Sequence, residues 1–169
     1  MSDRVSQIIL LCEDDLQEQL VRFYLEQCRV STRRQHLRIL NASRLVHGGN
    51  VGWVRSTFPS ELTACRKRHS AKASTLLIVV ADADSFTVAE RRGHFQAESP
   101  FGAHDPVVSV IPRRHIETWI WGACGKAVNE TENYKHPTPT KSEVRRASFL
   151  VYALAHDANE PRDGCCLLY

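Results

Sequence analysis

The stretch TLLIVVADAD, at positions 75–84, decides the fold because it joins an apolar run directly to two carboxylates. A continuous run of branched apolar residues is typical of a strand that is buried on both faces of a sheet. Asp82 and Asp84 end this run abruptly, one residue apart. Three explanations compete for the pair: a cap for the next helix, a phosphorylation site, or ligands for a metal ion.

The same succession of an apolar strand and a helical pattern recurs along the chain. Further strands are predicted at IILLC (8–12), HLRIL (36–40) and VVSVI (107–111). Helical spacing of apolar residues predicts helices over 16–28, 51–65, 86–95, 114–128 and 142–156. We expect Pro59 to split or kink the second of these helices, and HGGN (47–50) to form a turn. Strands that alternate with helices favour an α/β fold with a mostly parallel sheet sandwiched by helices.

Length and composition favour one globular domain. The chain has 169 residues, of which 43% are hydrophobic and 24% charged. We predict an α/β core over 1–128, with a polar loop, a helix and a tail over 129–169 packed on the same domain. The net charge of +3 permits a nucleic-acid partner without requiring one. No run is long enough to span a membrane, and the first residues lack a signal-peptide pattern, so we expect a cytoplasmic location.

The cysteines predict neither a zinc site nor a disulfide framework. There are six of them, and no two have the C-x-x-C spacing. Cys12 lies inside a predicted core strand, and Cys28 lies on the apolar face of a predicted helix. Buried free thiols are therefore the interpretation that we adopt.

Acidic residues follow two of the predicted strands. The first strand ends at Glu13, and the central strand ends at Asp82 and Asp84. Ligands of open α/β sheets bind at the carboxyl ends of the strands, so these three side chains converge if the two strands are parallel neighbours. Carboxylates at close range repel one another, and a hard divalent cation such as Mg²⁺ removes that conflict. Such a site is suited to phosphoryl chemistry.

Two alternatives to a metal site remain open at this stage. Asp84 or Ser85 can act only as a cap for the helix that follows. The segment EDD (13–15) and the helix after it also resemble the opening of a two-component receiver domain. Against the receiver, Asp82 lies much further along the chain than the phospho-accepting aspartate of that family. The family's lysine-proline pair is also replaced by IPRRHIE (111–117).

A glutamate after the first strand and Asp-x-Asp after a later apolar strand together resemble the TOPRIM fold of topoisomerases, primases and OLD-type nucleases. The resemblance covers roughly 7–122 and implies that Glu13, Asp82 and Asp84 act around Mg²⁺ or Mn²⁺. The segment VVSVIPRRHIETWIWG (107–122) is similar to one in small stand-alone TOPRIM-like proteins of prokaryotes, which implies that Glu117 joins the acidic cluster. Many members have glycine where this chain has Asp14, so the local turn can differ.

The resemblance implies a metal-dependent nuclease, or a nuclease subunit, that acts on nucleic acid, with DNA favoured over RNA. An ATPase partner and a role in phage defence are further implications of the family. Arg113, Arg114 and His115 follow a strand end, so they are candidates for binding phosphate or relaying a proton. A basic start to a surface helix is the alternative for these three residues. A non-catalytic TOPRIM-like binding or assembly module is the alternative for the whole chain.

Overall fold

The four predicted strands form one parallel sheet. The computed structural model describes residues 5–33, 36–47, 50–71, 73–129 and 131–156, with side chains as far as 153. The strands are β1 (Gln7–Cys12), β2 (Leu37–Asn41), β3 (Thr75–Val80) and β4 (Val107–Val110). They lie in the order β2-β1-β3-β4, and every neighbouring pair is parallel. The carboxyl ends of all four strands therefore lie along one edge, which we call the carboxyl edge.

Helices flank the sheet, so the predicted α/β single-domain class is confirmed. They are α1 (Asp15–Gln27), α2 (Ala42–Leu45), α3 (Val51–Ser70), α4 (Val88–Glu98), α5 (Ile116–Ala123) and α6 (Lys141–His156). The glycines of the predicted turn at 47–50 and the tail beyond 156 lie outside the described residues.

The sheet buries apolar side chains on both faces, as the continuous runs predict. In β1, Ile9 and Leu11 join a core cluster with α3 and α4. The alternate residues Ile8 and Leu10 join a second cluster with α1 on the opposite face. This period of two follows from strand geometry, because successive side chains point to opposite faces. The two-sided core fixes the register of β1 against β3, and hence the positions of the residues that follow each strand.

The predicted split at Pro59 is wrong, because α3 runs as one helix from Val51 to Ser70, whereas the kink stays a prediction. Proline in a helix interior removes one backbone hydrogen bond and crowds the preceding turn. Here the apolar side chains on either side of Pro59 hold the helix to the sheet. Phe58 and Leu62 are completely buried in the core, together with Val54 one turn earlier. Packing of this face outweighs the local preference of proline.

The last helix packs onto the core rather than apart from it. Val144 and Ala147 of α6 are buried in a cluster with residues of α1 and α5. The loop before α6 is also fastened to α5, since Trp121 Nε1 donates a hydrogen bond to the carbonyl of Tyr134 at 3.3 Å. This hydrogen bond holds the loop to α5 at Tyr134.

Two further expectations concern cysteines and membranes. Cys12 and Cys65 are buried free thiols, and Cys124 is a free thiol that is partly buried. Cys28, which we expect to be buried, is only partly buried. Cys165 and Cys166 lie outside the described residues. Within the described ranges, no helix combines the length and the hydropathy that a bilayer crossing requires.

An ion pair fastens the loop before β4 to the end of α3. Arg66 Nε lies 2.6 Å from Asp105 Oδ1, and this pairing holds the pKa of Asp105 down at about 2. A depressed carboxyl pKa adds stability above the group's ordinary pKa, and that stability is lost as the pH falls through the folded value. We expect Asp105→Asn to lower the free energy of unfolding at pH 7 by up to about 1 kcal/mol.

Urea unfolding followed by tryptophan fluorescence tests this prediction between pH 7 and pH 3. The difference between wild type and Asp105→Asn should shrink as the pH approaches 2, because wild-type Asp105 then becomes protonated. A difference that stays constant over this range would show that the ion pair contributes nothing to it.

Candidate metal centre

The pairing of β1 with β3 brings Glu13 to Asp82. Leu11 of β1 lies opposite Val79 of β3, so the residues just after the two strands meet at the carboxyl edge. The backbone N–H of Asp82 donates a hydrogen bond to Glu13 Oε1 at 2.9 Å. The expectation that the acidic ends of the two strands converge is therefore met for Glu13 and Asp82.

Asp82 is buried, and hydrogen bonds orient its side chain. Its side chain accepts two hydrogen bonds at Oδ1, from Gln17 Nε2 at 3.1 Å and from the backbone N–H of Ile116 at 3.2 Å. Ile116 is the first residue of α5, and the N-terminal end of a helix favours negative charge. The other oxygen, Oδ2, lies 3.5 Å from Nδ1 of His115. One oxygen of Asp82 is thus fixed by the fold, while the other faces His115.

Asp84 has a left-handed backbone conformation, and it contacts Arg91 and Arg114. Its φ of 55° lies in the left-handed region, which few non-glycine residues adopt. Its N–H donates to the carbonyl of Arg114 at 3.1 Å, and its own carbonyl accepts from Arg114 Nη1 at 3.3 Å. Oδ2 is 3.2 Å from Nη2 of the buried Arg91, whereas Oδ1 lies 3.4 Å from His115 Nδ1.

Asp84 and Ser85 do not provide the side-chain cap of α4. That helix begins at Val88, and the hydroxyl of Thr87 accepts a hydrogen bond from the N–H of Glu90. The carboxylate of Glu90 in turn accepts from the N–H of Thr87, which completes a capping box. The helix-cap explanation of Asp84 is therefore wrong. After β1, by contrast, Asp14 does cap α1.

His115 completes a group that can hold a metal ion. The imidazole is only 5% exposed, and among the described residues its Nδ1 has no hydrogen-bond partner. Ligand atoms of Asp82, Asp84 and His115 all lie within 4.8 Å of one another. Two carboxylates and an imidazole nitrogen are a donor set that divalent cations accept. The unpartnered buried nitrogen between two acids fits such an ion.

Glu13 borders this group and is not a member of it. Burial, together with repulsion from Asp82, raises the pKa of Glu13 to about 7, although its hydrogen bond with the Asp82 backbone opposes the rise. Burial likewise raises the pKa of Asp14. The part of Glu13 as a metal ligand therefore stays a prediction, as does its catalytic role.

Glu117 also faces the carboxyl edge. It lies in the first turn of α5, is 8% exposed, and its Oε2 has no hydrogen-bond partner among the described residues. Burial raises its pKa, and so does repulsion from Asp82 and Asp14. The structure thus brings Glu117 near the acidic cluster, while its catalytic role stays a prediction.

The two predicted phosphate-binding arginines have different surroundings. Arg113 is exposed, whereas Arg114 is half-buried and donates to the carbonyl of Asp84. Arg114 therefore supports the backbone of Asp84 directly. Neither arginine has a tested role toward phosphate, and both assignments stay predictions.

Two residues of the centre carried no signal in the sequence. Gln17 is completely buried and links Asp82 with Glu13, since its Oε1 also accepts from the N–H of Glu13 at 2.9 Å. Arg91 lies in the polar surface pattern of a short helix, yet its side chain is 3% exposed. Both residues reach the site through tertiary packing, so neither spacing nor residue type distinguishes them from surface residues.

Arg91 orients the carboxylate of Asp84 so that one oxygen faces His115. Its guanidinium contacts Oδ2, so Oδ1 is the oxygen left facing His115. We expect Arg91→Met to lower Mn²⁺ affinity about 10- to 100-fold, as removal of groups that orient metal ligands commonly does. We expect Arg91→Lys to recover part of that loss, because it restores the charge without the planar fork.

Calorimetric titration with Mn²⁺ measures this effect, with Arg55→Met as the matched control. Arg55 also pairs with a single carboxylate, that of Glu98, on the surface. Equal Mn²⁺ affinities for wild type, Arg91→Met and Arg55→Met would show that Arg91 contributes to the fold and not to metal binding.

Comparison of the chain with protein-family models, with curated proteins and with solved structures finds no match. What is established for the chain is therefore a parallel α/β fold, with a carboxylate and histidine group that can hold a metal ion.

Proposed function

We propose that the protein is a Mg²⁺- or Mn²⁺-dependent phosphodiesterase that acts on nucleic acid, of the TOPRIM type. The observation that carries the proposal is the group of Asp82, Asp84 and His115, whose ligand atoms lie within 4.8 Å at the carboxyl edge. Ligand sites of open α/β sheets lie at that edge. The family resemblance in the sequence supplies the substrate class.

In this proposal Asp82, Asp84 and His115 hold the ion. A bound divalent cation polarises phosphate oxygens and lowers the pKa of a bound water. The protein's own part is to fix these ligands, which Gln17 does for Asp82 and Arg91 does for Asp84. Arg113 is the residue that we propose to attract the phosphate backbone, because it is exposed and guanidinium groups bind phosphate in a bidentate manner.

The proposal extends to partners only through the family resemblance. An ATPase subunit is the protein partner that we propose, and phage defence is the proposed setting. A non-catalytic binding module is the competing proposal. Two contacts of Asp84 favour this alternative, because they can neutralise acidic charge without a metal. One is the ion pair with Arg91, and the other is the contact with His115, which is an ion pair only when His115 is protonated.

Nuclease assays on the purified full chain test the proposal. Supercoiled plasmid, linear duplex, single-stranded DNA and RNA are each incubated with Mg²⁺, Mn²⁺ or EDTA. We expect cleavage only with a metal, and we expect Asp82→Asn to lower the rate about 100-fold or more. Asparagine keeps an oxygen that can accept the hydrogen bonds of Gln17 and Ile116, so the fold should survive.

Asp105→Asn is the matched control, because it makes the same chemical change in the loop before β4. Its cleavage rate should equal that of wild type. Equal rates for wild type and Asp82→Asn would overturn the assignment of the site. Metal binding by wild type without cleavage of any substrate would favour the binding module.

A further inference from the structure

An exposed aromatic ring lies beside the candidate metal centre. Phe86 follows Asp84 by two residues and is 43% exposed. Two residues of extended chain span at most about 7 Å, so the backbone of Phe86 lies close to that of Asp84. Large apolar side chains are exposed at a few other described positions, including Leu45 and Phe149. Phe86 is set apart from these by its place next to a ligand of the proposed ion.

The ring is held in position by two residues of α4. The guanidinium carbon of Arg91 lies 5.0 Å from the ring centroid of Phe86, which is within the range of a cation–π contact. The ring of His94 meets that of Phe86 edge-on, with the centroids 4.8 Å apart and the planes at 85°. An exposed ring with two such contacts does not have to be ordered when it meets a ligand, which lowers the cost of binding.

The backbone that carries the ring is fastened as well. The N–H of Phe86 donates to the carbonyl of Ala83 at 3.0 Å, and the next residue, Thr87, is the cap of α4. Arg91 joins this segment to the centre, because the same guanidinium pairs with Asp84 Oδ2. The aromatic ring and the metal ligand are thus fixed by one buried arginine.

We propose that Phe86 stacks on a nucleobase of a single-stranded nucleic acid whose backbone enters the metal centre. This inference rests on the proposed function and narrows its substrate class. Any base offers a face to an aromatic ring, so such stacking tolerates sequence variation. In a duplex the faces of the bases are covered by their neighbours, and a base must leave the stack before a protein ring can cover it. Phe86 therefore selects strands whose bases are already unstacked.

A purely structural explanation makes a different prediction. If Phe86 only shields the ion pair of Arg91 and Asp84 from water, any large apolar side chain should serve. Phe86→Leu keeps the apolar cover and removes the aromatic ring, whereas Phe86→Trp keeps an aromatic face. Thermal stability and Mn²⁺ affinity measure the shielding role of Phe86, whereas affinity for base-carrying strands measures its stacking role.

Binding of fluorescein-labelled 12-mers to the full chain tests the proposal by fluorescence anisotropy. The probes are single-stranded DNA, single-stranded RNA, a DNA duplex and an abasic DNA strand. The buffer contains Ca²⁺, and electrophoresis checks that each probe stays intact. We expect Phe86→Ala and Phe86→Leu to weaken binding of the two base-carrying single strands about 5- to 100-fold.

The matched controls separate stacking from general effects. Phe86→Trp should bind the single strands as wild type does, and Phe149→Ala should too, since Phe149 is an exposed phenylalanine on α6. Affinity for the abasic strand and the duplex should not change in any of these variants. The relative loss for DNA and RNA shows which of the two uses the ring more.

Two results would overturn the inference and leave the proposed function standing. One is metal-dependent cleavage by wild type with single-strand affinity unchanged in Phe86→Ala. The other is equal weakening for abasic and base-carrying strands. If wild type neither binds nor cuts any nucleic acid, the proposed function fails, and the inference fails with it.

Discussion

In metal-free buffer at pH 8.5, Glu13→Gln should be more stable than wild type, by up to about 3 kcal/mol. The cause is the cost of keeping a charged Glu13 in the folded protein. Burial and repulsion from Asp82 raise its pKa from 4.5 to about 7. Glutamine removes the charge and keeps an oxygen that can accept the hydrogen bond from the N–H of Asp82.

The sign of the pH dependence follows from proton linkage. The folded protein holds the Glu13 proton more tightly than the unfolded chain does, so protonation of Glu13 favours folding. This contribution is fully present below pH 4.5 and is lost as the pH rises through about 7. Wild type and Glu13→Gln should therefore have similar stabilities at pH 4.5 and diverge progressively above that value.

Urea unfolding in EDTA, repeated at intervals from pH 4.5 to 8.5, measures the divergence. Glu90→Gln is a control for which we expect the opposite change in stability, because hydrogen bonds from Thr87 lower the pKa of Glu90. That variant should lose stability relative to wild type at neutral pH and approach it only under acidic conditions. A difference between Glu13→Gln and wild type that does not vary with pH would show that the charge of Glu13 does not cost the folded protein stability.

The sequence predicts the fold well because each strand is decided locally. The run from Leu76 to Ala81, just before Asp82, is entirely apolar, and a strand covered on both faces is the simplest way to bury it. The boundaries of the helices depend less on the local apolar pattern. The predicted helix over 86–95 begins instead at Val88, because Thr87 and Glu90 form a capping box that the apolar pattern does not reveal. At Pro59, burial on the core-facing side of α3 overrides a local preference.

The candidate site could be predicted only in part, because contacts between distant parts of the chain are not decided by the local sequence. Asp82 and Asp84 stand at the end of the strongest strand, so their place at the carboxyl edge follows from the sequence. Whether a third group faces them depends on the distance between β3 and α5, which no spacing along the chain encodes. The sequence indicates His115 as a candidate for binding phosphate or relaying a proton, and this assignment stays a prediction. What the sequence does not reveal is that Nδ1 of His115 lies 3.5 Å or less from an oxygen of each aspartate.

The identity of the third ligand can be decided by a direct comparison of Glu13 with His115. We expect His115→Gln to lower Mn²⁺ affinity about 100-fold or more, because a lost ligand should cost at least as much as a lost group that orients one. We expect Glu13→Gln to change that affinity by less than about tenfold. The physical reason is geometric, since Oε1 of Glu13 is engaged by the backbone N–H of Asp82, whereas His115 Nδ1 has no hydrogen-bond partner among the described residues.

Calorimetric titration with Mn²⁺ at pH 7.5 measures both affinities, and His104→Gln serves as the control at an exposed histidine. Thermal unfolding of each variant without metal shows whether its fold is intact. The reverse order, in which Glu13→Gln abolishes Mn²⁺ binding and His115→Gln preserves it, would favour the ligand set of Glu13, Asp82 and Asp84 that the sequence predicts. His115 would then be a neighbour that pairs with the acids when protonated, and Glu13 would take its place as the third ligand.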